Sequence, residues 1–595
     1  MTSTESPIPD FVAWVSPRAN GAVEGARASR MDVIAAGRAV TELRTATLHV
    51  LMAVPSGAQL AADPTGRVSL LLHGDVYGER AAAGTLAADL AHRGDAAAAD
   101  LNGAFTVVAV DHHADRVFVV TDRLNLCRVF HAAENEEQWI ASSQWDLPLD
   151  SHAIDETGVA WYLSNGVIHA GRTPYEGIDT LPRASVHDVT ATGVSSQQYW
   201  EYGFHPPDTD LNDELTRNEL LERIVSALRH QCEDADAVRL SLSGGYDSTA
   251  IALMLRHRLQ VDEVRCFSYV LGGLREGTDA DEARRLAQRL GYRHTAYESY
   301  RGDLVAHIQE NAHLGEGMAH RCDEVDAWLA LESDVPEGSR SVLLVGDHFM
   351  GDTPERRNRH QAYAPPGGLR SFATVRRLAP LLPRGSYERF RDGIQADIDR
   401  VQERSMLGER SRGFFYLDQR LGNTVFPWRQ RFAGRRHRVR WPLLDNEVLD
   451  FMSTVPLSVR KTHLYHRALT TAFPEEFAGE RAREQGYYLD LHGEFVTRAD
   501  DCRRMITDAS SRLDIVVPPD VGVQLVGQVA RERTLGGKAS RAPGAVLRRV
   551  RKALGTDDAL AAPPAASTAE LLRRLLILRE ALGASWAGRN LGVPR

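Results

Sequence analysis

The nine residues SLSGGYDST at 241–249 constrain this chain more than any other stretch. The apolar run 238–242 enters two consecutive glycines and leaves into residues 248–259, which have helical periodicity. A strand that ends in glycines and restarts as a helix offers main-chain N–H groups to an anion. The glycines let the backbone approach, and the helix N-terminus adds donors and partial positive charge. Ser243 and Ser248 contribute hydroxyls. Asp247 repels a phosphate directly, so its sensible role is to hold a magnesium ion that bridges to one. The loop is neither GxxxxGK[ST] nor GxGxxG, which sets it apart from the common nucleotide loops. Further along, 263–269 and 341–345 read as strands and 279–290 as an amphipathic helix. Short apolar strands separated by helices predict a parallel sheet with crossover helices.

Three blocks flank and contain this motif. Residues 8–203 are β-rich, with strands predicted at 11–15, 67–72, 105–110, 117–120 and 139–141 and a helical segment within 81–99. Residues 204–500 carry the alternating strands and helices, and 501–595 read as a helical extension with an Ala/Pro linker at 561–566. The last helix starts at the capping box Ser567-Thr568-Ala569-Glu570. Its apolar face, Leu571, Leu572, Leu575, Leu578 and Leu582, needs a partner, most simply the rest of this chain.

Composition excludes several classes. A net charge of −10 argues against a dedicated nucleic-acid binder. The five cysteines form no CxxC pair, so free thiols are expected rather than zinc or a disulfide framework. The N-terminal MTSTESPIPDF has neither a basic nor an apolar targeting segment, and no run is long enough to span a membrane. The expectation is a cytoplasmic protein with no membrane and no nucleic-acid partner.

The loop SGGYDS resembles the pyrophosphate-binding loop SGGxDS of the ATP pyrophosphatases, and neighbouring segments narrow the likeness to asparagine synthetases and their relatives. CFSYVLGG (266–273) is similar to the strand that meets adenine, and LLVGDHFMGDTP (343–354) to the SGxGxD loop. RVRWPLLDNEVLDFMSTVP (438–456) is similar to the RxPFLD segment, and 460–488 to the element ending in an RxK motif. In the first block HGDVYG (73–78), LNGAFTVVAVD (101–111), VVTDRLNLCRVF (119–130), TLPRASVHDV (180–189) and Tyr199-Trp200 resemble the glutaminase domain of these enzymes. The resemblance implies a multidomain α/β and α+β fold: an N-terminal Ntn-hydrolase-like αββα sandwich, an adenine-nucleotide α-hydrolase-like parallel α/β domain, and the helical C-terminal extension.

It also implies ATP and Mg2+ as cofactors and an acyl-adenylate intermediate. By that likeness the pyrophosphate lies on Ser243, Gly244, Gly245, Tyr246, Asp247 and Ser248, and the backbone at Leu242, Ser268, Tyr269 and Gly346 frames the adenosine. The metal ligands are Asp247 and Asp352, with Asp347 a rival because GDHFMGD is one residue longer than the family loop. Arg483 takes the place of the RxK lysine and can clamp charge without giving up a proton. His348 is the candidate base for the amine.

The departures matter as much. A glutaminase of this type needs an N-terminal cysteine; here Thr2 stands near the start and the first cysteine is Cys127. Glutamine hydrolysis is therefore expected to be lost, as in lasso-peptide cyclases and β-lactam synthetases, where one molecule supplies both acid and amine. The Tyr–Glu base pair of the β-lactam type falls on Phe349 or His348 and on Arg438, so it is absent. The extension and the Arg-rich stretch 428–440 favour a larger substrate. The expectation is a peptide cyclase whose partners are a precursor peptide, a leader peptidase and a leader-binding protein. The rivals are β-lactam-type ring closure or another amine–acid ligation, a tRNA-modifying relative, and a non-catalytic scaffold subunit.

Overall fold

A computed structural model describes residues 10–17, 38–54, 59–202, 213–318, 323–335, 341–347, 368–404, 421–423, 425–434, 437–460, 463–477, 486, 489–536 and 565–583. In the first block a period of two sorts apolar side chains between two faces. Along the strand Val12–Pro17, Val12 and Trp14 face one core while Ala13 and Val15 face another. Six antiparallel strands form the first sheet, in the order Ile178–Thr180, Phe130–Glu134, Glu137–Ala141, Val12–Pro17, Leu48–Val54, Ala39–Arg44. Six more form the second: Gly193–Gln198, Ser185–Thr190, Arg116–Thr121, Gly103–Asp111, Val68–Val76, Gln59–Ala62. The sheets pack through Val15, Val50 and Met52 against Leu71, Val108 and Val119. The helix Ala83–Arg93 covers the outer face of the second sheet, and Glu156–Asn165 covers that of the first. The result is the expected αββα sandwich.

The second block centres on a five-stranded sheet in which every pairing is parallel: Arg293–Glu298, Val264–Val270, Ala237–Ser241, Ser341–Leu344, Arg438–Arg440. Helices cover both faces. Val238, Leu240, Val342 and Leu344 pack toward helices Asp213–Cys232, Tyr246–His257 and Asp279–Leu290, whereas Phe267, Leu343 and Val439 pack toward Trp328, Phe426 and Trp441. A sheet buried on both faces aligns its strand ends, and ligands in such folds bind beyond the carboxyl ends of the strands.

The helix Thr568–Ala581 opens at the predicted capping box, with Ser567 and Glu570 each accepting from the other's N–H. It is buried almost all round, against helices Leu304–Gly315, Pro519–Gly536 and Glu156–Asn165. Leu571, Leu572, Leu576 and Ile577 are each at most 1% exposed, and each such side chain contributes roughly 1.5–3 kcal/mol on burial. Its arginines do not reach solvent: Arg573 pairs with Asp323, Arg574 donates to the Leu163 carbonyl, and Arg579 pairs with Asp514. The face therefore has its partner within the chain, including the N-terminal sandwich.

Among the described residues, no helix is long and apolar enough to cross a membrane.

Candidate functional site

The central strand Ala237–Ser241 ends where Leu242 N donates to Phe267 O at 2.8 Å, still in line with the neighbouring strand. The chain then turns through Gly244, whose φ of +66° suits glycine. A Cβ there would also stand 2.9 Å from the Asp279 carbonyl oxygen. Ser243 N donates to Ser248 Oγ at 3.1 Å, the two serine hydroxyls lie 3.2 Å apart, and Gly245 N reaches Ser243 Oγ at 3.4 Å. These contacts curl the loop over the start of helix Tyr246–His257.

Helix starts in this chain are of two kinds, and Ala83–Arg93, Val325–Ser333 and Phe426–Ala433 share with Tyr246–His257 the lack of a side-chain cap. Asp155, Thr278, Asp303, Asp445 and Ser567 each cap their helices with a side-chain oxygen. Gly245 brings no capping side chain to Tyr246–His257. An N-terminus shaped by glycines and lacking a built-in acceptor is a seat for an external anion. Tyr246 turns its ring onto Phe477 (5.3 Å, 7° between planes) and His466 (4.6 Å), which ties the helix start to the segment 464–477. Asp247 lies in the first turn beside Tyr465, whose buried hydroxyl is pushed well above its ordinary pKa by burial and by the Asp247 charge.

Two further segments close on the loop. Gly346 follows the strand Ser341–Leu344, and a Cβ there would sit 3.2 Å from both Asp247 Cβ and Ser248 N. The next residue, Asp347, accepts from Arg429 Nε at 3.1 Å. On the other side, Asp279 accepts from Gly486 N at 2.9 Å while Leu271 N donates to Gly486 O at 3.0 Å. Burial raises the Asp279 carboxyl above the usual range, more than the N–H donors of Gly486 and Ala280 lower it. Gly486 and Gly244 thus both lie close to Asp279.

Leu242, Ser243, Gly244, Gly245, Tyr246, Asp247, Ser248 and Gly346 therefore converge at the carboxyl edge of the parallel sheet. Ser268 and Tyr269 close the neighbouring strand. Ser268 Oγ donates to the Leu242 carbonyl at 2.5 Å and lies 2.9 Å from His294 Nε2, so its side chain braces the loop. Burial, then Arg284, lowers the His294 pKa to about 4 and keeps that brace neutral. Tyr269 Oη is 3.5 Å from Ser241 Oγ. His348, Phe349, Asp352, Arg483 and Thr2 lie outside the described residues. Sequence reasoning passed over Arg429, Tyr465 and Gly486; the only signal for Arg429 was its place in an Arg-rich run.

That run needs a correction. Its described arginines are not a free basic surface for a larger substrate. Arg429 pairs with Asp347, Arg431 with Asp10 and Glu316, Arg438 with Asp234 and Asp75, and Arg440 with Asp234 and Asp75. Desolvation makes an unmatched buried guanidinium costly, so internal carboxylates take them up.

Arg431 joins the two domains at the head of the first strand. Its Nη1 contacts both oxygens of Asp10 at 2.9 and 3.0 Å, and its Nε donates to Leu314 O at 3.3 Å. Beside this lies a cavity lined by His73, Cys127, Arg128, Glu316 and Gln430. Cys127 is 2% exposed, and burial, then Asp122 and Asp75, push its thiol well above its ordinary pKa. A thiol held protonated is a poor nucleophile.

An antiparallel double sheet sandwiched by helices, followed by a parallel α/β domain with a glycine loop at its carboxyl edge, defines a two-domain class: an Ntn-hydrolase-like domain joined to a parallel α/β domain. Comparison with known families gives each half a description. Residues 57–200 match the glutamine amidotransferase domain family, and residues 219–347 match the asparagine synthase family. The stretch similar to the glutamine amidotransferase domain thus precedes the stretch similar to asparagine synthase. No curated protein matches the chain. Two solved structures are similar at low scores. One is described as the allosteric regulatory enzyme of purine biosynthesis (10% identity, 49% of this chain, 75% of that one, TM-score 0.20). The other is glutamine phosphoribosylpyrophosphate amidotransferase from B. subtilis complexed with ADP and GMP (10% identity, 57% and 76%, TM-score 0.22). Scores of this size carry no argument about activity.

Proposed function

We propose that this chain forms an amide bond at the expense of ATP. A substrate carboxylate attacks the α-phosphorus, pyrophosphate leaves, and an amine then displaces AMP from the acyl-adenylate. The observation that carries the reading is the uncapped N-terminus of helix Tyr246–His257, entered through left-handed Gly244 and flanked by the Ser243 and Ser248 hydroxyls. These groups hold the pyrophosphate, while backbone at Leu242, Ser268, Tyr269 and Gly346 frames the adenosine. The oxygen donors suit magnesium, which when bound supplies charge neutralisation on the polyphosphate, with Asp247 and Asp352 as its protein ligands. Asp347 suits that role less well, because Arg429 already holds its carboxylate. Arg483, by its place in the RxK-like motif, clamps charge.

The finer reading is macrolactam formation of the lasso type, in which a precursor peptide's N-terminal amine joins an Asp or Glu side chain. Its support is the state of the first domain: Asp10 is locked to Arg431 at the head of the leading strand, and Cys127 is a buried, protonated thiol. Among the described residues of that domain the thiol is withheld from releasing ammonia, which favours an amine supplied by the substrate. Acid and amine on one molecule raise effective concentration to the order of 10⁵ M or more. A leader peptidase and a leader-binding protein are the proposed partners.

The test is ATP–pyrophosphate exchange with and without a candidate precursor peptide. Peptide-dependent exchange is expected, reduced at least ~100-fold in Asp247→Ala, the size of losing one preorganised charge-stabilising group. No exchange from the wild type, with Asp247→Ala indistinguishable from it, overturns the enzyme reading in favour of a scaffold subunit.

A further inference from the structure

The helix Phe426–Ala433 presents two arginines to two different places. Arg431 meets the interdomain acids, whereas Arg429 meets the edge of the parallel sheet beside the loop 243–248. The two are bound very differently. Arg431 donates to Asp10, Glu316 and the Leu314 carbonyl, and Arg440 to Asp234, Asp75 and the Gln231 carbonyl. Among the described residues, Arg429 has a single hydrogen-bond acceptor, Asp347, reached through Nε.

Its guanidinium is otherwise held by rings, 4.5 Å from the Trp428 centroid and 5.7 Å from that of Trp328. Trp328 in turn packs on Tyr269 at 5.6 Å. The Nη1 of Arg429 is buried and, among the described residues, has no acceptor. Leaving a buried charged donor unmet is costly, so such a donor stands ready for an oxygen brought by a ligand. Burial works against this charge, and Asp347, then Tyr269 and Glu324, more than restore it. Arginine's planar fork can serve Asp347 from one edge and a second carboxylate from another.

Position selects the ligand. Asp347 is bonded in sequence to Gly346, which contacts Asp247 and Ser248, so Arg429 borders the nucleotide loop without belonging to it. Phosphate oxygens already have the serines and the helix N-terminus at 243–248. We propose that Arg429 is the substrate-binding residue for the carboxylate that becomes adenylated, donating from its unused Nη1 to a carboxylate oxygen and so orienting the other oxygen toward the α-phosphorus. This rests on the amide-forming reading above and names the group that recognises the acid. As the acyl–phosphate bond forms, pyrophosphate departs with the electron pair of the broken α–β bond, and Arg429 keeps its proton throughout.

The experiment uses the full chain with ATP and magnesium, and N-acetyl-L-aspartate N-methylamide and its glutamate counterpart as probes, each carrying one side-chain carboxylate. Wild type, Arg429→Lys and Arg429→Ala are compared for ATP affinity by calorimetry and for the carboxylate KM in pyrophosphate exchange. Both variants should keep the wild-type ATP affinity and raise the carboxylate KM by about 10- to 100-fold, the size of one charge-assisted hydrogen bond. Added guanidinium should recover part of the loss in Arg429→Ala and none in Arg429→Lys. Circular dichroism checks folding, and if Arg429→Ala is misfolded, Arg429→Lys alone decides. An unchanged carboxylate KM overturns the assignment while leaving the amide-forming reading intact. An ATP affinity that falls in step with the KM overturns it in favour of a phosphate contact. A wild-type chain that exchanges with neither probe nor peptide overturns both.

Discussion

Replacing Arg431 with methionine should loosen the joint between the two domains, and by more at pH 8 than at pH 6. Asp10 and Glu316 are 6% and 3% exposed, and Arg431 is the guanidinium they share. Breaking a buried pair by removing one partner costs roughly 3–5 kcal/mol, because the remaining charge is left without compensation. Here the pH matters through Glu316. Burial raises its pKa from 4.5 to about 7, against the pull of Arg431. A carboxyl that binds its proton more tightly folded than unfolded lowers stability as the pH climbs between those two values, with the full cost present above the higher one. Without Arg431 the folded pKa moves higher still, and the rise beyond about 7 adds up to about 1.4 kcal/mol to the loss at pH 8. At pH 6 Glu316 is already largely protonated, so mainly Asp10 is stranded and the loss should be smaller by about 1–2 kcal/mol. Urea unfolding followed by tryptophan fluorescence, read at the first transition, measures both. Adding Glu316→Gln to Arg431→Met should recover stability at both pH values, and more at pH 8 than at pH 6, where only part of the Glu316 cost is present. Equal losses at both pH values, with no recovery from the second change, would refute the reasoning.

Other outcomes are sharper still. Gly244→Ala forces a left-handed side chain against the Asp279 carbonyl; it should cost about 1–2 kcal/mol and weaken ATP binding in calorimetry, and unaltered affinity would detach the loop from the nucleotide. Cys127, Cys266 and Cys502 are buried with thiols pushed upward by burial, to about 12 for the latter two. Iodoacetamide at pH 8 should spare all three in the folded chain and label them in urea, as peptide mass spectrometry would show. Ser567→Ala removes a cap and should cost about 1 kcal/mol, seen as faster proteolysis at the C-terminal helix.

Much of this architecture was legible because it is locally encoded. The run 238–242, the glycines and the periodicity after them specify strand, loop and helix without outside help, and the helix Asp279–Leu290 lies where its amphipathic pattern predicts it. The strand Arg438–Arg440 was not legible, because two of its three side chains are arginines and Arg440 is buried only through Asp234 and Asp75. The strand Arg293–Glu298 was missed for a similar reason: it is an edge strand with polar, half-exposed side chains. Leu48–Val54 is buried at every position, and a continuous apolar run has no period to read. In the site, the loop residues came from one motif, but Arg429 and Asp347 are 82 positions apart and Asp10 and Arg431 are 421 apart. No window on the sequence joins such pairs; only the closed fold does.

The burial of Thr568–Ala581 sets an order of events during synthesis. Its leucines complete a core that also includes Trp14, Leu51 and Trp161 from the first third of the chain. Helix Glu156–Asn165, which covers the first sheet, therefore leaves the ribosome with part of its own outer side uncovered, and that part waits until almost six hundred residues have been translated. A nascent chain in this state is a natural client for a chaperone, and a stop codon anywhere before residue 568 strands it there.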